Sequence, residues 1–314
     1  MRTSQRSSVA GVARTNGRRG AHGTTRPAPG HVVITGAAGA IGSALARAMR
    51  AAWPDVELAL VDRANGGGSS HESSSGEWAT SGAAARIAAE VGGTAYGADL
   101  ADVDALPQLV ARIEENGPID ALVNCAGVMR VRDVSTWRWE DAHELIAIDL
   151  LAPLRLQDLV VRRMLKRRDE HAGGGGDGGS RDGGRRGLIV NIASMAGRVP
   201  LKGCAYYGAA KAGLAMASEI ARADLAGRGV QVVTVYPGPV KSALEAGARA
   251  DYGGAGLVGR FAPTGDPSVL ASKIMRAIDE GQPRVIYPGL YGVGWTAPNL
   301  SRWVALAFGP SPAS

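Results

Sequence analysis

At 314 residues the chain has room for one large domain or two small ones, and its 45% apolar and 20% charged shares are ordinary for a soluble globular protein. The formal charge of +6 is not spread over the body: residues 1–30 hold six arginines and no acid, leaving 29 basic and 29 acidic residues beyond them. A nucleic-acid partner is therefore not expected. Nor is a disulfide framework or zinc cluster, with only Cys125 and Cys204, or a spanning helix, since no apolar run reaches about 18 residues.

The arm at 1–30 has no continuous apolar core, so it is no secretory signal, and it reads as a disordered basic extension. Its acid-free Arg/Ser composition loosely resembles an organelle transit peptide, although Gly and Pro break the amphipathic period. The cysteine count suits a reducing, cytoplasmic location. Glycine is abundant at 45 residues and Phe scarce at two, so Ala, Val and Leu must fill the core.

From residue 31 the pattern becomes regular. The β-branched run HVVIT ends in the turn GAAGAIG and passes into SALARAMRAA, a strong helix former. A second apolar strand, VELALVD (56–62), ends in Asp62; a low-complexity insertion fills about 64–78. AAARIAAEV then predicts a helix, 93–97 a short strand ending at ADL, and about 102–115 another helix. IDALVNCAG (119–127) predicts a strand that breaks into a glycine turn. A long helix follows over roughly 138–168, then a Gly-rich insertion at 171–187. The strand LIVNIAS, a helix from near Tyr206, the strand VQVVTVYPG, a helix over 267–280 and a last strand RVIY complete the pattern, with an aromatic-rich tail beyond about 290.

Strands that are apolar throughout and alternate with helices predict a parallel sheet covered on both faces. Right-handed crossovers then give one Rossmann-like, doubly wound α/β/α domain over 31–290, with its ligand site at the carboxyl ends of the strands. The glycines at 36, 39 and 42 sit where such a fold meets a pyrophosphate: small residues admit the phosphate and a helix N-terminus offers free N–H groups. Asp62, ending the next strand, is placed to hydrogen-bond the ribose hydroxyls of an adenine nucleotide and would repel a 2′-phosphate, which favours NAD. Arg63 beside it leaves NADP open.

GCAYYGAAK (203–211) sets two tyrosines before a lysine. Neighbours on a helix point about 100° apart, so only one can face Lys211 squarely, and positions i and i+4 share a face, which selects Tyr207. Tyr206 is expected to pack or line the pocket rim.

In this order the quoted stretches resemble the short-chain dehydrogenase/reductase family over most of 31–290. They are TGAAGAIG (35–42), ADL with Asp99, NCAG with Asn124, IVNIAS with Ser194, YGAAK with Tyr207 and Lys211, and YPGPVKS from Pro237 to Ser242. The family pattern is Tyr-x-x-x-Lys with a Ser 13 residues before the Tyr, and Ser194 meets that spacing to Tyr207. The resemblance implies an oxidoreductase that moves a hydride between a nicotinamide cofactor and a secondary alcohol or ketone. Tyr207 is then the general acid/base, Ser194 holds the substrate oxygen, and Lys211 binds the nicotinamide ribose. Cofactor contacts are implied for Gly36, Gly39, Ile41, Gly42, Asp62, Asp99 (toward adenine), Leu100, Asn124 (shaping the turn), Ala126, Gly127, Pro237, Gly238 and Ser242, the last where the family more often has Thr.

Work near pH 7 asks the Tyr207 phenol, ordinarily near 10, to fall by about three units, roughly 4 kcal/mol. The Lys211 ammonium and a cationic nicotinamide are expected to supply that. Asp149, in LIAIDLLAP, stands where the family usually has an Asn that helps hold a water leading from Lys211 into a proton relay. The relay is expected to survive, with a reduced rate or shifted pH optimum. The substrate is expected to be hydrophobic, against Val128, Met129, Met195, Val199, Leu201 and Leu244, in a homodimer or homotetramer built from the helices at about 138–168 and 206–227. The alternative is a catalytically weak or inactive NAD(H)-binding regulator of the same fold.

Overall fold

Seven short runs rich in Val, Ile and Leu become seven parallel strands: β1 (His31–Thr35), β2 (Glu57–Asp62), β3 (Thr94–Gly97), β4 (Ala121–Asn124), β5 (Gly187–Ile192), β6 (Val230–Pro237) and β7 (Arg284–Tyr287). The computed structural model describes residues 28–63, 82–173, 187–252 and 263–312. The basic arm and most of both predicted insertions lie outside the described residues. The sheet order is β3-β2-β1-β4-β5-β6-β7, the doubly wound arrangement expected.

The central strands bury both faces, side chains alternating across the sheet, while the edge strands β3 and β7 are partly exposed. Val32, Ile34, Leu58, Leu60 and Val190 face one layer, which holds α1 (Ala40–Ala52), α2 (Gly82–Val91) and α8 (Pro267–Glu280). Val33, Ala59, Val61, Leu122 and Ile189 face the other, with α3 (Leu106–Glu114), α5 (Ala152–Gly173) and the end of α6 (Ala205–Asp224). Burial of each large aliphatic side chain contributes about 1.5–3 kcal/mol, which is why Val, Ile, Leu and Ala dominate the strands. No helix among the described residues is long and apolar enough to cross a membrane.

Local chemistry sets the helix ends. Asp266 accepts hydrogen bonds from the N–H groups of Ser268 and Val269 at 2.9 and 3.4 Å, Pro267 opens α8, and Gly281 closes it at φ 69°. The predicted long helix departs from expectation in two ways. It runs as α4 (Trp139–Ile146), one widened π turn (Ala147–Leu151) and α5, and it continues to Gly173 rather than ending near 168. Such widened turns cluster at functional sites, and Asp149 sits inside this one.

The tail forms two helices, α9 (Gly292–Thr296) and α10 (Pro298–Phe308), the second opened by Pro298. Trp295 anchors it, stacked against the Arg198 guanidinium at 3.9 Å and edge-to-face with Tyr236 at 5.1 Å. Beneath, Glu219 takes ion pairs from Arg284 and Arg222. Burial raises the Glu219 carboxyl, but these two partners more than offset that and hold it at about 2. A depressed carboxyl contributes stability that is complete above the unfolded value of about 4.5 and is lost as pH falls toward about 2. Acid titration of Glu219→Gln, followed by circular dichroism, is therefore expected to show a flatter loss of stability across that window, by on the order of 1–3 kcal/mol.

Candidate active site

The sheet order places the carboxyl ends of β1, β4, β5 and β6 side by side, and the order of strand addition reverses between the parallel neighbours β1 and β4. Ligands of open α/β sheets bind at such a switch point. The predicted site residues stand at the carboxyl ends of β1 to β6 or on the helical segments that follow them.

At the first end, Gly36 adopts φ +65°, and a Cβ there would lie 2.7 Å from the Ala126 Cα. A Cβ on Gly42 would lie 2.2 Å from the Gly36 carbonyl oxygen. Both positions therefore require glycine: one for its backbone, both for close approach. Gly39 caps α1 without a side-chain hydrogen bond, so the first-turn N–H groups around Ile41 have no side-chain partner. Asp62 is drawn into this turn, accepting from the Ala38 N–H at 2.7 Å and the Arg63 N–H at 2.8 Å. Arg63 itself reaches away to Glu144, 3.2 Å.

At the other end, Ser194 follows β5 and accepts the Ala196 N–H at 3.1 Å, which opens a single turn at Met195–Gly197. Tyr207 and Lys211 lie one helical turn apart on α6, both buried. Ser194 lies near enough to the Tyr207 phenol to favour its ionised form, and the Lys211 Nζ lies 5.9 Å from the Tyr207 ring centre. Lys211 also donates to the Ile192 carbonyl at 3.3 Å and pairs with Asp149 at 3.5 Å. The Asp149 carboxylate is fully buried and takes the Val128 N–H at 2.8 Å on its other oxygen. A side chain at Gly127 would meet Lys211 Nζ at 3.2 Å and Asp149 Oδ1 at 3.3 Å, so that glycine leaves room for the pair.

Residues 30–253 match the model of the short chain dehydrogenase family. The chain belongs to this family. Members of this family are oxidoreductases, and the relatives matched carry the names of dehydrogenases and reductases. Among relatives, D-threitol dehydrogenase of Mycolicibacterium smegmatis is 34% identical over 68% of this chain and 70% of its own. The "inactive 2-(S)-hydroxypropyl-CoM dehydrogenase 2" of Xanthobacter autotrophicus is 32% identical over 51% of this chain, which spans 63% of that protein. A short-chain dehydrogenase from Sphingobium yanoikuyae, solved with NADPH, is 25% identical, covers 88% of this chain and 95% of its own, and superposes with a TM-score of 0.64.

In this dehydrogenase a nicotinamide dinucleotide fits the first end: two glycines that no Cβ could replace without moving backbone, and a helix start with unclaimed N–H groups, are what a pyrophosphate needs. Three predicted contacts have structural duties as well. Ser242 caps α7 (Ala243–Asp251), accepting the Glu245 N–H at 3.0 Å. Asp99 turns onto the Ala101 N–H at 3.0 Å, beside the buried Leu100. Asn124 donates inward, to Asn191 at 2.8 Å, rather than bracing the turn after β4.

That turn is held instead by Thr35, whose hydroxyl accepts the Cys125 and Ala126 N–H groups at 3.1 and 3.2 Å. Asn124 heads a buried chain through Asn191 to Ser218 (3.1 Å) and on to Thr234 (2.7 Å), which joins β4, β5, α6 and β6. Thr35, Asn191 and Thr234 are polar residues set in largely apolar strands and Ser218 lies on α6; none of the four belongs to the sequence-predicted site.

Tyr206 stacks edge-to-face on Trp137, ring centres 5.0 Å apart, and does not join the cluster. The tail reaches the site's edge: Gly294 packs against Met195 and Val199, and the Tyr291 ring lies over Gly238, next to Pro237.

The expected fall in the Tyr207 pKa is not what this arrangement gives. Burial pushes the phenol well above its usual value, and the Asp149 charge pushes it further, against the nearby Ser194.

Proposed function

We propose that the enzyme interconverts a ketone and a secondary alcohol on a hydrophobic body, with Tyr207 as proton donor and acceptor and NAD as its preferred cofactor. The carrying observation is that Ser194, from the turn after β5, and Tyr207 and Lys211, from α6, are buried together at the carboxyl end of the sheet. When bound, the nicotinamide supplies or accepts the hydride. The protein holds the oxygen and moves the proton.

In the reductive direction Ser194, its acceptor side occupied by the Ala196 N–H, donates to the carbonyl oxygen. The Tyr207 O–H bond breaks and a new O–H bond forms on the substrate, leaving a phenolate that solvent reprotonates. In oxidation the same phenolate takes the alcohol proton. Lys211, fixed by the Ile192 carbonyl and Asp149, anchors the nicotinamide ribose. Hydrophobic specificity is assigned to Met195 and Val199, which pack together, to Val128 and Met129 of the cluster that holds Tyr207, and to the exposed Leu201 and Leu244. Exposed Leu151, Met216 and Ile220 support a homodimer or homotetramer built on α5 and α6.

NAD preference follows from Asp62. Its carboxylate is held at the turn by two N–H groups and retains lone pairs for ribose hydroxyls, while Arg63 is engaged by Glu144. Asp62→Ala is expected to cut the NADH-over-NADPH ratio of kcat/KM about tenfold or more, the worth of one charge-assisted hydrogen bond. An unchanged ratio would contradict the assignment.

A further inference from the structure

Asp149 changes the charge of this site. A lysine buried without a counter-ion favours a neighbouring phenolate; a lysine paired with a buried carboxylate does not. The pair here is tight and walled in. Lys211 Nζ lies 3.5 Å from Asp149 Oδ2, their side chains are 5% and 0% exposed, and Gly127 packs against both. The widened turn at 147–151 carries Asp149 in the helix wall facing α6. Val128 N–H fixes Oδ1, while Oδ2 has no hydrogen-bond donor besides the lysine pair.

The groups around this pair come from several elements. From α6 come Lys211 and Tyr207; from the segment after β4, the Val128 N–H and Cys125. Ser194 comes from the turn after β5, and Cys204 from the start of α6. Burial keeps the Cys125 thiol neutral, at about 12, and raises Cys204 as well, so neither adds charge. Burial also raises the Asp149 carboxyl, opposed by Lys211 and the Val128 N–H. Asp149 is the one carboxylate among these groups.

Resting on Tyr207 as the acid–base, we propose that Asp149 acts as a positioning residue that cancels the Lys211 charge and holds Tyr207 as a phenol, so that proton donation to a carbonyl persists to unusually high pH and alcohol oxidation begins late. The sign follows from electrostatics. Removing a negative charge near Tyr207 makes its phenolate easier to form, so both limbs move to lower pH.

The test needs no substrate. Tyrosinate absorbance near 295 nm is titrated in the unsubstituted protein, Asp149→Asn, Tyr207→Phe and the double variant, with and without NAD; the Tyr207 step is the part that Tyr207→Phe removes. In Asp149→Asn that step is expected at least about one pH unit lower, as a unit charge acting over several ångströms in a poorly screened site requires. No movement between the two would overturn the proposal. Should Asp149→Asn fail to fold, the unsubstituted protein decides: a Tyr207 step below about pH 10, the ordinary phenol value, contradicts it, and no step up to about pH 11 supports it. Turnover that survives Tyr207→Phe would instead fell the acid–base assignment, so the two failures are distinct.

Discussion

Tyr207→Phe is expected to lower kcat for carbonyl reduction by about a thousandfold or more, while NADH affinity and the circular dichroism spectrum stay near those of the parent. The substitution deletes one oxygen and leaves the ring in its packing among Leu145, Ala196 and Ala210. What it removes is the proton that must reach the substrate oxygen. Tyr206→Phe is the matched control. Its ring is spent on Trp137 at 5.0 Å, and it should retain most of the parent activity. Steady-state kinetics on both variants separates the two tyrosines; comparable losses in both would mean the pocket needs bulk or polarity there rather than a proton donor.

Gly42→Val is expected to be the most damaging change at the cofactor end. Even its first added carbon would sit 2.2 Å from the Gly36 carbonyl and 2.9 Å from the Ala37 Cα, both of them backbone, so α1 must shift away from the turn. Overpacking of this kind costs about 1–3 kcal/mol, and displacing the helix N-terminus removes the N–H groups that meet a phosphate. NADH affinity, read by fluorescence titration, should fall about a hundredfold, with a lowered Tm. Gly39→Ala is the comparison: its Cβ would stand 3.2 Å from the Gly36 oxygen, close enough to be felt but not to force the helix out. Equal NADH affinity in parent and Gly42→Val would mean the turn is not a phosphate cradle.

How much of this was legible in the sequence depended on the range of the interaction that fixes each feature. Helix α8 was placed to the residue, because Asp266, Pro267 and Gly281 mark its ends through contacts only a few residues long. The sheet was legible because a strand buried on both faces must be apolar throughout. The end of α5 and the π turn before it were not, since one extra residue in a helical turn leaves no mark in hydrophobic period. Tyr207 is paired with Lys211 by helical spacing, and Ser194 joins them only through the resemblance to the family pattern. Asp149 stood out as a departure from the family pattern, but its ion pair with Lys211 is tertiary, and so is its effect on Tyr207. Burial first, and the Asp149 charge after it, hold the tyrosine above its usual value where Lys211 and a cationic nicotinamide were expected to lower it. Thr35 and the Asn191–Ser218–Thr234 chain were missed for a related cause: a buried polar residue discloses its purpose only through partners on other strands.

The most direct test of the central claim is NADH consumption by the full chain against a panel of ketones on hydrophobic bodies, steroidal, lipid-derived and alicyclic, run beside NADPH and with Tyr207→Phe as control. Turnover with at least one ketone, faster with NADH than with NADPH and lost in Tyr207→Phe, is the predicted result. Tight NADH binding with no turnover of any member of the panel would contradict it and favour a nucleotide-binding regulator built on the same fold.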